Sequence, residues 1–114
     1  MTDHIKVLKA HGTWSVRAGG AVLGESSNAF ELFEGEAPPV IYFPRNNIAM
    51  AFLDRTDTST HCPNKGDASY FSVVTKSQTL KNAVWSYENP NDCVAQIKDH
   101  LAFRFGTEIT IEQI

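Results

Sequence analysis

Residues Thr60 to Tyr70 read T-H-C-P-N-K-G-D-A-S-Y, placing a histidine, a thiol, a lysine and a phenol between a proline and a glycine. Three chemistries compete for such a set. A cysteine flanked by His61 and close to Lys65 becomes a thiolate nucleophile or redox thiol if a base is positioned against its sulfur. Neighbours on an extended chain point to opposite sides, however, and the default fate of an unpaired cysteine is to pack as a small hydrophobe. Zinc needs about four ligands at workable spacing. His61 and Cys62 are adjacent, and His4, His11, Cys93 and His100 are scattered, so no metal and no cofactor is expected. The run N-K-G-D, Asn64 to Asp67, matches a guanine-reading tetrapeptide, but the phosphate loop G-x-x-x-x-G-K-[ST] that must accompany it is missing.

The turn itself is better specified. Pro63 presets φ and pushes Cys62 into the extended region, while Gly66 takes the left-handed conformation that closes a type I turn into the next strand. Lys65 then sits at the tip with its cation free, and on the plainest reading it is solvated. Around it in sequence lie Tyr42, Arg45, Tyr70, Trp85 and Tyr87, in or beside strands, where flat apolar faces with polar handles suit a small ligand. If they converge with Lys65 they form a pocket for a planar or anionic small molecule. Otherwise they are the half-exposed rim of a core.

The elements that position these residues are short. A chain of 114 residues supports one core, so residues 1–114 are read as a single domain. With 42% apolar and 20% charged residues, it lacks the signature of disorder. The formal charge of −3, with no run of like charge longer than two, offers no footprint for nucleic acid. No stretch approaches the ~20 apolar residues a bilayer needs, and M-T-D-H-I-K-V-L-K lacks the apolar segment of a secretory signal. A soluble cytoplasmic protein with reduced cysteines is the expectation.

Trp14–Arg17 and Val22–Glu25 read as strands joined at Gly19 and Gly20, with Asn28–Glu34 as a third. V-I-Y-F, Val40 to Phe43, is a strand ended by Pro44. N-N-I-A-M-A-F-L-D reads as a short helical turn. A-S-Y-F-S-V-V-T and A-V-W-S-Y are strands separated by the loop S-Q-T-L-K. E-N-P-N-D starts a helix that carries Val94, Ile97 and Leu101 on one face. L-A-F-R-F and E-I-T-I-E, about Gly106, form a final hairpin. The sum is a mainly β roll or small barrel of two antiparallel sheets with one or two short helices.

The ordered set V-I-Y-F-P-R-N-N-I, T-H-C-P-N-K-G-D-A-S-Y, A-V-W-S-Y-E-N-P and L-A-F-R-F resembles domain-of-unknown-function family 427, also labelled nucleotidyltransferase-like, from about Trp14 to the C-terminus. The resemblance implies a compact β-tent domain similar to the thalidomide-binding domain of cereblon and to B-type methionine sulfoxide reductases. The zinc of those relatives, held by two C-x-x-C pairs, is not carried over because the pairs are missing. The family's motif positions fall on Tyr42, Pro44, Arg45, Cys62, Pro63, Lys65, Gly66, Tyr70, Trp85, Tyr87 and Pro90. Asn64 replaces a frequent aromatic and Asn47 a frequent acid. Nucleotidyl transfer needs paired carboxylates for Mg²⁺, and the chain has neither D-x-D nor a Gly-Ser pair. The leading expectation is therefore a small-molecule-binding domain, with Lys65 and Arg45 holding an anionic or carbonyl group and Cys62 shaping the floor. The alternatives are an enzyme using Cys62, the transferase of the family label, or a protein-interaction module.

Overall fold

The computed structural model describes residues 4–114. Ten strands form: β1 (Ile5–Lys9), β2 (Trp14–Ala18), β3 (Ala21–Ser26), β4 (Phe30–Glu34), β5 (Val40–Tyr42), β6 (Leu53–Cys62), β7 (Gly66–Val74), β8 (Thr79–Ser86), β9 (Ala102–Phe103) and β10 (Ile109–Gln113). They build three antiparallel sheets in the orders β1-β4-β5, β10-β2-β3 and β6-β7-β8-β9. The mainly β class therefore holds, with three sheets where two were expected. Among the described residues the only helical segments are short 3-10 stretches at Arg45–Asn47, Met50–Phe52 and Asp92–Ile97, and no helix is long and apolar enough to cross a membrane.

Local chemistry explains several elements. The β2–β3 hairpin turns at Gly19 and Gly20, with Gly19 at φ +59°, a value that L side chains disfavour. Gly24 meets a different demand: it bridges Ile48, and a Cβ there would lie 2.6 Å from the Asn47 carbonyl oxygen. Pro44 ends β5, yet Phe43 continues the pairing by exchanging backbone hydrogen bonds with Leu101 at 2.8 Å. The stretch opening at Asp92 is no α-helix, because Val94 sits at φ −128°, ψ 31°; the Asn91 side chain makes no cap hydrogen bond and donates to the Pro63 carbonyl.

Several elements depart from the sequence reading. β1 and the ten-residue β6 went unread, and residues 79–81, placed in a loop, begin β8. L-A-F-R-F and E-I-T-I-E share a turn, the Gly106 N–H to Ile109 carbonyl bond at 2.9 Å, but do not pair as a hairpin. β9 joins β8, while β10 crosses to β2.

The sheet β6-β7-β8-β9 is covered on both faces. Phe71, Val73, Val84 and Phe103 point to one side, into a core shared with Val16, Leu23 and Ile109 of the β10-β2-β3 sheet. Phe43 and Phe103 meet edge to face there, with centroids 5.8 Å apart, an arrangement that contributes about 0.5–1.5 kcal/mol beyond its area. Ala68, Tyr70, Trp85 and Ala102 point to the other side, toward Leu32 and Tyr42 of the β1-β4-β5 sheet and toward Val94 and Ile97. That second face carries the candidate site. The whole is a compact globule with a radius of gyration of 13.5 Å.

Candidate functional site

Strand alternation assembles the site from residues that the sequence scatters. Successive strand residues face opposite sides, so Leu32 and Glu34 of β4 share a face, as do Val40 and Tyr42 of β5. Across from them, Tyr70 of β7 and Trp85 of β8 are direct cross-strand partners. Tyr87 follows Trp85 by two residues and so returns to the same side. With Ala37, Pro38, Lys65, Asn82 and Arg104, these residues line a cavity of about 430 Å³.

The turn that carries Lys65 forms as its proline and glycine dictate. The Lys65 N–H donates to the Cys62 carbonyl at 3.1 Å, and Gly66 has φ +111°. It is also docked from the far side. Asn91 donates its backbone N–H to the Lys65 carbonyl at 3.0 Å and its side-chain amide to the Pro63 carbonyl at 3.0 Å, and the Cys93 thiol reaches the Asn64 carbonyl at 3.3 Å. The demand for glycine at position 66 comes from its φ, since a Cβ there would meet the Asn89 carbonyl oxygen only at an ordinary contact distance of 3.4 Å.

Docking reverses the expectation for Lys65. Its side chain is only 14% exposed; Nζ donates to Glu34 Oε1 at 2.7 Å and lies 5.9 Å from the centre of the Tyr87 ring. The Lys65 hydrogen bond holds the Glu34 carboxyl below its ordinary range, against the opposing effect of burial. His4 lies 3.9 Å from its other oxygen.

The phenols are set by burial. Trp85 Nε1 donates to the Tyr42 hydroxyl at 3.2 Å, which leaves the phenolic proton available to a further acceptor. Burial pushes the Tyr42 phenol up to about 12, so it remains a proton donor at neutral pH. Burial also raises Tyr87. The Tyr70 hydroxyl lies 3.1 Å from Thr60 Oγ1.

Of the seven residues singled out in the sequence, the structure brings Tyr42, Lys65, Tyr70, Trp85 and Tyr87 to one cavity. Cys62, half-buried, packs against the cluster that forms its floor. His61 is turned outward, paired with Asp67 at 2.7 Å, and so is not held against the Cys62 sulfur. Arg45 does not join the cavity. Its guanidinium bonds Ser86 Oγ and Glu88 at 3.1 Å and the Asp99 carbonyl at 3.2 Å, and it lies over Phe71 on the opposite face of the sheet. Arg45 was expected to stand beside Lys65 and is placed away from it. Among the described residues no three His, Cys, Asp or Glu side chains converge as metal ligands would.

Glu34, Asn82 and Arg104 were missed. The signal for Glu34 was present, because it alternates with Leu32 on a strand that had been recognised. Asn82 and Arg104 carried none, since a β-bulge and a chain crossing bring them in. Residues 6–112 match the profile of the domain of unknown function DUF427, and the chain belongs to that family. No curated protein matches it.

Proposed function

We propose that this protein is a small-molecule-binding domain whose site is the cavity between the β1-β4-β5 sheet and β7-β8. The observation that carries this reading is the partly buried Lys65–Glu34 pair, its lysine the more enclosed member, facing aromatic walls in a cavity of about 430 Å³, within the size range of ligand sites. An ammonium that serves only to fill space is poorly accounted for, because taking it out of water costs more than an apolar side chain of similar volume would. A ligand that meets its remaining N–H groups offsets that cost.

The division of roles follows from chemistry. Trp85 and Tyr70 offer π faces to a planar portion. Tyr42 donates its phenolic proton to a carbonyl or similar acceptor. Lys65 supplies further donors, and Glu34 an acceptor for an N–H of the ligand. Cys62 supports the apolar floor from behind without lining the cavity.

A thermal-shift screen against nucleobases, nucleotides, cyclic imides and sugar phosphates tests the reading. A ligand at 100 times its Kd stabilises by about 2.7 kcal/mol, and Trp85→Ala and Lys65→Met are each expected to abolish that shift. Shifts that survive both substitutions place the ligand elsewhere and defeat the proposal.

A further inference from the structure

The cavity has two chemically different ends. The register sets them apart: Tyr70 and Trp85 are paired at its middle, Tyr87 and Lys65 lie toward the start of β7, and Asn82 lies three residues the other way along β8. At a strand rise of roughly 3.3 Å per residue, Asn82 is at most roughly 10 Å along the strand from Trp85.

The Asn82 end is built from donors. Pairing slips between Phe71 and Val73, and Asn82 occupies the resulting bulge at φ +52°. Bulges of this kind re-aim a side chain. Thr56 Oγ1 donates to Asn82 Oδ1 at 2.6 Å and Ser72 Oγ accepts the Asn82 backbone N–H at 3.1 Å, which leaves the two side-chain amide protons without a partner among the described residues. Arg104 stands beside it, its backbone N–H fixed to the Ala83 carbonyl at 2.8 Å. Its guanidinium has one long contact, 3.5 Å to the Lys81 carbonyl, and no carboxylate partner among the described residues. Glu34 is the sole carboxylate of the lining, and Lys65 neutralises it. Among the described residues, the balance at the Asn82 end is one positive charge without a carboxylate partner and two amide protons without an acceptor.

We infer that the ligand is a planar molecule bearing an anionic oxygen group, its plane against Tyr70 and Trp85 and its carboxylate or phosphate between Asn82 and Arg104. This inference rests on the reading of the cavity as a binding site and adds the ligand's charge and polarity of entry. A guanidinium and an amide together present the donor geometry that such oxygens accept.

The test is calorimetric titration with matched pairs that differ only in charge: heteroaromatic carboxylates against their carboxamides, and nucleoside monophosphates against nucleosides. In at least one pair the anion is expected to bind about tenfold more tightly, with the advantage shrinking between about 50 and about 500 mM NaCl. Arg104→Gln is expected to cut the advantage below about threefold. Asn82→Asp keeps a residue that tolerates positive φ and keeps the Thr56 acceptor, and is expected to reverse the preference. Trp85→Ala removes both members. If neutral and anionic members bind alike, or the advantage survives both Arg104→Gln and Asn82→Asp, the anion site is overturned while the binding cavity stands. If no member of the panel binds, the cavity reading falls and this inference with it.

Discussion

Glu34 and Glu88 each hold basic side chains, on opposite faces of the same sheet, and they do opposite things. Glu88 takes Arg55 at 2.6 Å and Arg45 at 3.1 Å, while both guanidiniums lie over Phe71, at 5.6 Å for Arg45 and 4.9 Å for Arg55. Arg45 adds Ser86 Oγ and the Asp99 carbonyl, which ties the end of β8 to the loop before β9. Planar, rigid guanidiniums suit this closed use, stacking on a ring while their edges are consumed by acceptors. Glu34 takes a single lysine, whose compact ammonium keeps donors to spare beside an open cavity. One cluster fastens the sheet; the other is left with unused capacity.

Removing the ring beneath the arginines is expected to have the largest effect. Phe71 is 4% exposed, and Phe71→Ala should cost about 3–5 kcal/mol in urea denaturation without altering ligand affinity in the folded fraction. A loss below about 1 kcal/mol would mean that the arginine cluster does not rest on Phe71. Next comes the turn on the other face. Gly66→Ala forces a Cβ onto a backbone at φ +111° and should cost about 1–3 kcal/mol, weakening binding as well because Lys65 moves with it.

Smaller effects separate the partners of the cavity pair. Glu34→Gln strands a mostly buried ammonium and is expected to cost about 1–2 kcal/mol, whereas Lys65→Met frees a carboxylate that water reaches and should cost less than about 1 kcal/mol. Equal losses would remove the argument that Lys65 is the desolvated member. The smallest effect is on acid stability. Glu34 is held below its ordinary value of 4.5 by Lys65, and Glu88 is held below it by Arg55 and then Arg45. The unfolded chain binds more protons in that region, so this stabilisation is fully present above about pH 4.5 and is lost as pH falls through the folded values. The melting temperature should be flat from neutrality down to about pH 5 and then decline. Glu34→Gln and Glu88→Gln should each flatten part of the decline, and a curve unchanged in both would contradict the pairings.

What was legible depended on whether a residue's fate was decided locally. The Gly19–Gly20 hairpin, the strand ending at Pro44 and the turn closed at Gly66 were read from dihedral demands alone. β6 escaped because L-D-R-T-D-T-S-T-H-C is nearly all exposed, so its strand state rests on backbone pairing with β7 rather than on an apolar pattern. β1 escaped because only Ile5 and Val7 of I-K-V-L-K pack inward. The aromatic set was visible as residues lying in or beside strands, and their alternation there brings them to one face, but Arg45 lies just past Pro44, where alternation no longer fixes direction, and it turned to the far face.

The sequence by itself determined the mainly β class, the turn presenting Lys65 and the aromatics of one strand face, since each follows from backbone sterics or period-two patterning. Only the tertiary structure decided that β9 and β10 part company, that Asn91 and Cys93 clamp the turn, that Glu34 draws Lys65 out of water, and that Asn82 and Arg104 arrive at one end of the cavity. Those outcomes depend on contacts between segments far apart in the chain, whose pairing is set by how the sheets close over one another.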